Sequence, residues 1–218
     1  TENWEGTGMR EEERIQNGWL FDQADAELVR LKERAHNLNR VYNSLADSDG
    51  ARQECLEKLL GKIGKNCLLQ GPVYFHYGIH TQIGDSFFAS FNFTVQDDAA
   101  VTIGNNCDFG PNVTIVTPVH PMLPQERRAM RKPNGDVRQL CYALPVRIGN
   151  DCWICANTVV CSGVTIGDGC VIGAGSVVVH DIPAHSFAAG NPCRVIRPIT
   201  QEETLANKKE IFAGCSLL

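Results

Sequence analysis

The residues of this chain best suited to chemistry are its histidines and cysteines. His120 stands in Thr117-Pro-Val-His-Pro121, at the start of a charged, proline-punctuated stretch from Val116 to Val146. Long excursions from a rigid scaffold are where function usually sits. An imidazole placed there can take a proton from a hydroxyl and later deliver it to a leaving group. His180 and His185, five residues apart, could join a third histidine on a metal. No third histidine falls at a matching place upstream, so a metal hydratase is the weaker reading and no metal is expected. Cys152-Trp-Ile-Cys155 has the spacing of a zinc or redox pair. The basic run from Arg127 to Lys132 reads as a solvated part of the excursion.

The element that must position these residues is a six-residue repeat. Six units follow one another without a break from Ile148 to Pro183, opened by Ile148, Ile154, Val160, Ile166, Ile172 and Val178. One aliphatic residue every six positions fits neither an amphipathic helix nor a simple alternating strand. It fits a triangular coil in which each face takes six residues and the aliphatic one points to the axis. Stacked coils bury that column on itself, so no coil is stable alone. Ile63, Ile83, Ile103, Phe109 and Ile115 continue the pattern upstream, less regularly. The period predicts a mainly β parallel β-helix from about Ile63 to Ala188.

The same phase explains most of the ten cysteines. Cys67, Cys107, Cys152 and Cys170 occupy fifth places of their units, and Cys155 and Cys161 second places. All six are expected in tight interior slots as small hydrophobes. The two cysteines of the CxxC fill different slots, which disfavours a joint role. No hydrophobic signal stretch stands before the helices, so reduced thiols in a cytoplasmic protein are expected.

Net charge is −5 and pI about 5.7, which gives no electrostatic footprint for nucleic acid. No apolar run approaches the roughly 20 residues that span a membrane. Residues 9–62 are charged, glycine-poor and helical in pattern. Leu28, Leu31, Ala35, Leu38, Val41 and Tyr42 fall near one face of a helix from Ala26 to Leu45, and a second helix runs from Ala51 to Leu60. This segment is expected to cap the first coil or to shape a substrate site. Residues 63–199 form the β-helix, with an excursion at 117–145, and 200–218 a polar tail.

Several motifs carry a resemblance. They are Gly18-Trp-Leu-Phe, Gly71-Pro-Val-Tyr-Phe-His-Tyr-Gly78, Phe91-Asn-Phe-Thr, Asp97-Asp98, the His120 loop and Ala189-Gly-Asn-Pro-Cys-Arg-Val-Ile-Arg197. Together they resemble the maltose/galactoside O-acetyltransferase family over nearly all of residues 10–198. The resemblance implies a left-handed parallel β-helix assembled as a homotrimer. It implies acetyl-CoA as donor and a sugar-like hydroxyl as acceptor, with His120 as general base and direct transfer without an acyl-enzyme. A non-catalytic scaffold of the same fold is the alternative.

The family's site residues carry over unevenly. Ser90 stands where the family places an asparagine beside the reacting atoms. On the acceptor side Asp98 is retained. His76 replaces a serine, while Gln23 and Lys32 replace the best-known Asp and Arg. Cys141 also falls on the acceptor side. On the donor side the backbone N–H of Ala156 matches the oxyanion contact, and a backbone donor survives a change of side chain. Ala174 aligns with another CoA contact, and Val179-His180 replaces a Thr-Lys pair. Arg194 and Arg197 align near the nucleotide phosphates, and Trp153 with the pantetheine tunnel.

Overall fold

The computed structural model describes residues 8–131, 135–208 and 211. Short strands wind into a parallel β-solenoid with three flat faces. The first face stacks Lys62–Ile63, Thr81–Ile83, Val101–Ile103, Val146–Ile148 and Thr165–Ile166. The second stacks Leu68–Leu69, Phe88–Ala89, Asp108–Phe109, Trp153–Ile154, Val171–Ile172 and Ser186–Gly190. The third stacks Val73–Phe75, Phe93–Gln96, Thr114–Val116, Val159–Val160 and Val177–Val178. An antiparallel strand, Cys193–Pro198, closes the last coil against Ser186–Gly190.

The aliphatic column is the core. Ile63, Ile83, Ile103, Ile148 and Ile166 lie in register on the first face, and Ile83, Ile103, Ile148 and Ile166 are buried. The upstream period is irregular because partners on the first coils lie 20 residues apart in the chain, against 18 further on. The two extra residues of each early coil fall at the turn from the third face back to the first, between Phe75 and Ile83 and between Val95 and Ile103. The wider first coils also hold larger side chains, with Phe87, Phe93 and Phe109 packed ring against ring.

Cys107, Cys152 and Cys170 fill buried slots, their thiols directed at backbone carbonyls of Gly149, Gly167 and Pro183. Cys67, Cys155 and Cys161 differ from the expectation: all three are only half-buried. The inward position belongs to Ile154 and Val160, so the next residue turns outward at the edge of the prism. The nine described cysteines are free thiols, and Cys215 lies outside the described residues.

Before the coils come α1 (Glu11–Gln16), α2 (Ala26–Ser44) and α3 (Ala51–Leu59). The Asp25 side chain caps α2 by accepting from the N–H groups of Glu27 and Leu28. The helix buries Leu28, Ala35, Asn39 and Tyr42, whereas Val41 is 51% exposed, against the expected face. The reason lies in the first strand of the third face, which would otherwise be a bare sheet edge. Asn39 donates to Phe75 O and accepts from Phe75 N–H. Asn43, one turn on, does the same with Val73. Two amides thus replace a neighbouring strand, and the helix rotates to bring them in at the expense of Val41.

The excursion is folded. Pro118–Val119 pairs antiparallel with Leu140–Ala143, which pairs on its other side with Phe21–Asp22 near the N-terminus. α4 (Pro124–Arg127) and a two-strand ribbon, Met130–Arg131 with Val137–Arg138, complete it. Arg127, Arg128 and Arg131 are exposed, and Lys132 lies outside the described residues.

Candidate active site

Two edges of the prism carry the candidate residues. The chain turns from the second face to the third at one edge and from the third back to the first at another. At this latter edge the Asp97-Asp98 turn meets the start of the excursion. Thr117 joins them: its hydroxyl accepts from Ala99 N–H (2.9 Å) and donates to Gln96 O (2.8 Å). His120 follows three residues later, just past the strand Pro118–Val119, exposed and without a hydrogen-bond partner among the described residues.

The antiparallel sheet gathers here several of the residues expected on the acceptor side. Cys141 lies opposite Phe21 and is fully buried. Burial pushes its thiol up to about 12, against a smaller opposing influence of the Gln23 side chain. Gln23 N–H donates to Gln139 O (3.2 Å), and Lys32 Nζ donates to Gln23 O (3.0 Å). Lys32 in turn acts electrostatically on Cys141, His76 and Asp98. The structure therefore brings Gln23, Lys32, His76, Asp98 and Cys141 into one neighbourhood.

Asp98 is 3% exposed and its Oδ2 has no hydrogen-bond partner. Burial and then the adjacent Asp97 raise its carboxyl to about 6, against partial opposition from Lys32 and His80. Asp97 is also raised by burial, but it is satisfied, accepting from Tyr77 N–H and the Thr81 hydroxyl at 2.8 Å each. The Tyr77 ring, fully buried, ends in a hydroxyl that is likewise unpartnered, its pKa raised by burial and then by Asp98. Two buried, unanswered polar groups side by side mark a place built for a polar ligand. Beneath them His80 bridges Glu12 Oε1 (2.8 Å) and Asp97 O (2.6 Å). Burial works against its protonation, but the contact with Glu12 outweighs it and raises its pKa. Tyr77 and Glu12 escaped the sequence reading, which named His80 only as a substitute base; the His-Tyr-Gly run was the one trace of Tyr77.

The other edge carries a second column. Ser90 follows Phe88–Ala89, Ala156 follows Trp153–Ile154 and Ala174 follows Val171–Ile172. Ser90 is half-buried and its hydroxyl lies 3.1 Å from Gln70 Oε1. The N–H groups of Ala156 and Ala174 have no acceptor among the described residues. A Cβ at Gly110 would come within 2.6 Å of Ala156 N, so only glycine there leaves that N–H open. Gly110 is a further residue that the sequence reading passed over. Trp153, 54% exposed, opens the second-face strand that leads to Ala156. Val179 and His180 lie elsewhere, past the last third-face strand on the edge of His120 and Asp98, and both are exposed. Arg194 and Arg197 sit on the closing strand, where Arg197 pairs with Glu203 at 2.5 Å and packs over the Phe187 ring.

Within one chain the whole third face separates His120 and Asp98 from Ser90, Ala156 and Ala174. No group of three or more His, Cys, Asp or Glu residues that could hold a metal ion occurs among the described residues, and no helix among them is long and apolar enough to cross a membrane.

Comparison with known proteins agrees with the fold. Residues 14–64 match the family model of the maltose acetyltransferase hexapeptide capping motif, and residues 145–180 that of the bacterial transferase hexapeptide with six repeats. A galactoside O-acetyltransferase of Escherichia coli (strain K12) is 41% identical over 192 residues, 88% of this chain and 90% of that protein. The chain belongs to the maltose/galactoside O-acetyltransferase family. It is by that membership an acetyl-CoA-dependent O-acetyltransferase. A galactoside O-acetyltransferase of Lactococcus lactis subsp. lactis is 35% identical, covering 87% of this chain and 88% of that one. Among solved structures, a galactoside acetyltransferase in complex with coenzyme A superposes with a TM-score of 0.81 at 40% identity, covering 89% of this chain and 94% of that chain. A maltose O-acetyltransferase from Clostridium difficile 630 gives 0.80 at 35% identity, covering 89% and 100%.

Proposed function

We propose that this enzyme moves the acetyl group of acetyl-CoA to a hydroxyl of a sugar-like acceptor, directly, with His120 as general base. The observation that carries this reading is the antiparallel sheet of Phe21–Asp22, Leu140–Ala143 and Pro118–Val119. It sets His120 next to a neighbourhood whose buried polar groups, Asp98 Oδ2 and Tyr77 Oη, lack partners. An acceptor hydroxyl bonded to Asp98 is held there, with Gln23, Lys32, His76 and Cys141 shaping the surroundings.

In the reaction His120 takes the hydroxyl proton as the oxygen attacks the thioester carbonyl. The carbonyl oxygen becomes an oxyanion and accepts from Ala156 N–H, which Gly110 leaves open. The C–S bond then breaks and the protonated His120 returns its proton to the leaving thiolate. Ser90, on the column of Ala156, takes the place of the family asparagine and assists at the reacting atoms. Ala174, Val179, His180 and Trp153 contact the pantetheine and nucleotide, and Arg194 and Arg197 their phosphates. The exposed Arg197–Glu203 pair is weak enough to exchange for phosphate.

Because the base and the oxyanion donor stand on different edges of one prism, the site is complete only between copies. We infer a homotrimer, in which the His120 edge of one subunit faces the Ala156 edge of the next in a closed ring. The free thiols support a reducing compartment, the cytoplasm.

The test is His120→Ala. A loss of about 10²–10⁴-fold in kcat, with acetyl-CoA affinity retained, is expected. Unchanged turnover would move the base elsewhere, to His76 or His80. Light scattering should give three times the chain mass of 24.0 kDa; an active monomer would overturn the shared site.

A further inference from the structure

We propose that the acceptor carries an anionic group, a carboxylate or a phosphate, seated in the cleft between α2 and the third face against Lys32, His36, Arg40 and His76. This rests on the reading that the acceptor binds beside Asp98, and it names the class of acceptor.

The cleft has a volume of about 350 Å³. One wall is α2, from which His36 and Arg40 line the cleft; Lys32, four residues before His36 on the same stripe, lies beyond its end with Nζ on the Gln23 carbonyl. The floor is the outer side of the third face, with Tyr74, Thr94 and Gln96. His76 lies where the cleft meets the acceptor neighbourhood, under the influence of Lys32 on one side and against the His36 ring on the other. Asn39 and Asn43 also line the cleft, but their amides are spent on the strand edge. Of the groups left to meet a ligand, Arg40 is cationic and His36 and His76 can become so, above the neutral Tyr74, Thr94 and Gln96 of the floor.

None of the four is neutralised. Among the described residues none forms an ion pair. Lys32 Nζ reaches the Gln23 carbonyl, Arg40 reaches only the Asn37 side-chain oxygen, and the two imidazoles face each other at 3.4 Å. Glu33 stands exposed at the outer rim, beside His36 and Arg40. Asp98 lies beyond Lys32. Burial, Lys32 and His36 push His76 down to about 4, and burial, Arg40 and Lys32 lower His36. Burial first and neighbouring positive charge second hold both imidazoles neutral, and a bound anion would act against the second. It would gain charge-assisted bonds from the fixed cations and from imidazoles that can take up a proton. A neutral hydroxyl would leave the same cations unanswered.

The test compares a simple hexopyranoside with its 6-carboxylate and its 6-phosphate counterparts on the full chain. Equilibrium binding and acetyl-transfer kinetics are read for wild type, His36→Gln, Arg40→Gln and Arg40→Lys. Thermal melting checks that each variant is folded. Wild type should favour at least one anionic counterpart about tenfold or more in affinity and in kcat/KM, less so at high salt. Arg40→Gln and His36→Gln should each remove most of that preference and leave the neutral sugar unchanged, while Arg40→Lys keeps much of it. The two anions tell a carboxylate site from a phosphate site. Equal binding of neutral and anionic sugars, or an unaltered preference in the variants, would overturn the proposal. Transfer to neutral sugar alone would sink the anion site and leave the transfer reading standing. Anion binding without transfer to any acceptor would do the reverse.

Discussion

Replacing Asp98 by Asn should stabilise this protein at neutral pH while damaging its use of acceptor. Asp98 is almost wholly buried and one of its oxygens is unpartnered. Its carboxyl ordinarily titrates at 3.8 and is raised to about 6 in the fold, by burial first and by Asp97 second. Between those values the folded chain holds a proton that the unfolded chain has released, so stability falls as pH rises through the window. Above about pH 6 the cost is fully present; below about 3.8 it is absent. A gap of about 2 pH units corresponds to up to about 3 kcal/mol. Asn has no charge to bury, so Asp98→Asn should recover most of this at pH 8 and little at pH 4. For a chain of this length that is a rise in Tm of roughly 6–12 °C at pH 8. Calorimetry of both proteins across pH 4 to 8, at one protein concentration, measures it. Acceptor KM should rise in the same variant, a cost in function for a gain in stability. A Tm difference that does not change with pH, or a variant less stable at pH 8, would refute the reasoning that the carboxylate is held at an energetic cost for the ligand.

Other outcomes follow from single contacts. Asn39→Ala strips both backbone groups of Phe75 of their partners and should cost about 2–4 kcal/mol, read by denaturant unfolding; a loss below about 0.5 kcal/mol would mean that the edge needs no cover. Ser90→Asn should change the ranking of acceptors in kcat/KM over a sugar panel, because a longer amide reaches the reacting atoms, and identical values for every acceptor would make the serine silent. Gly110→Ala should lower kcat about 10²-fold or more by crowding Ala156 N–H, with acetyl-CoA affinity less affected. Normal turnover there would remove Ala156 from the oxyanion role.

The solenoid was legible because its signal is local and repeated. Each inward aliphatic residue is announced in its own hexapeptide, and the in-register column from Ile63 to Ile166 follows from that rule alone. The helix spans were legible for a similar reason, since Asp25 caps one and a Leu-Ala-Tyr spacing marks its buried side. His120 could be singled out from its place in the excursion, while Asp98 and the donor column were named only through the family resemblance. What the sequence could not carry was everything that depends on two distant segments meeting. Asn39 takes a buried place from Val41 only because a strand 36 residues away needs partners. The excursion becomes a sheet only because Phe21–Asp22 covers its return strand. The unanswered oxygens of Asp98 and Tyr77, the closeness of Gly110 to Ala156 N, and the separation of His120 and Ala156 on two edges are relations between elements. A repeat dictates what each residue does within its coil; where burial withholds a hydrogen-bond partner, or an edge lies apart from its complement, is decided only when the coils, the helices and the excursion pack together.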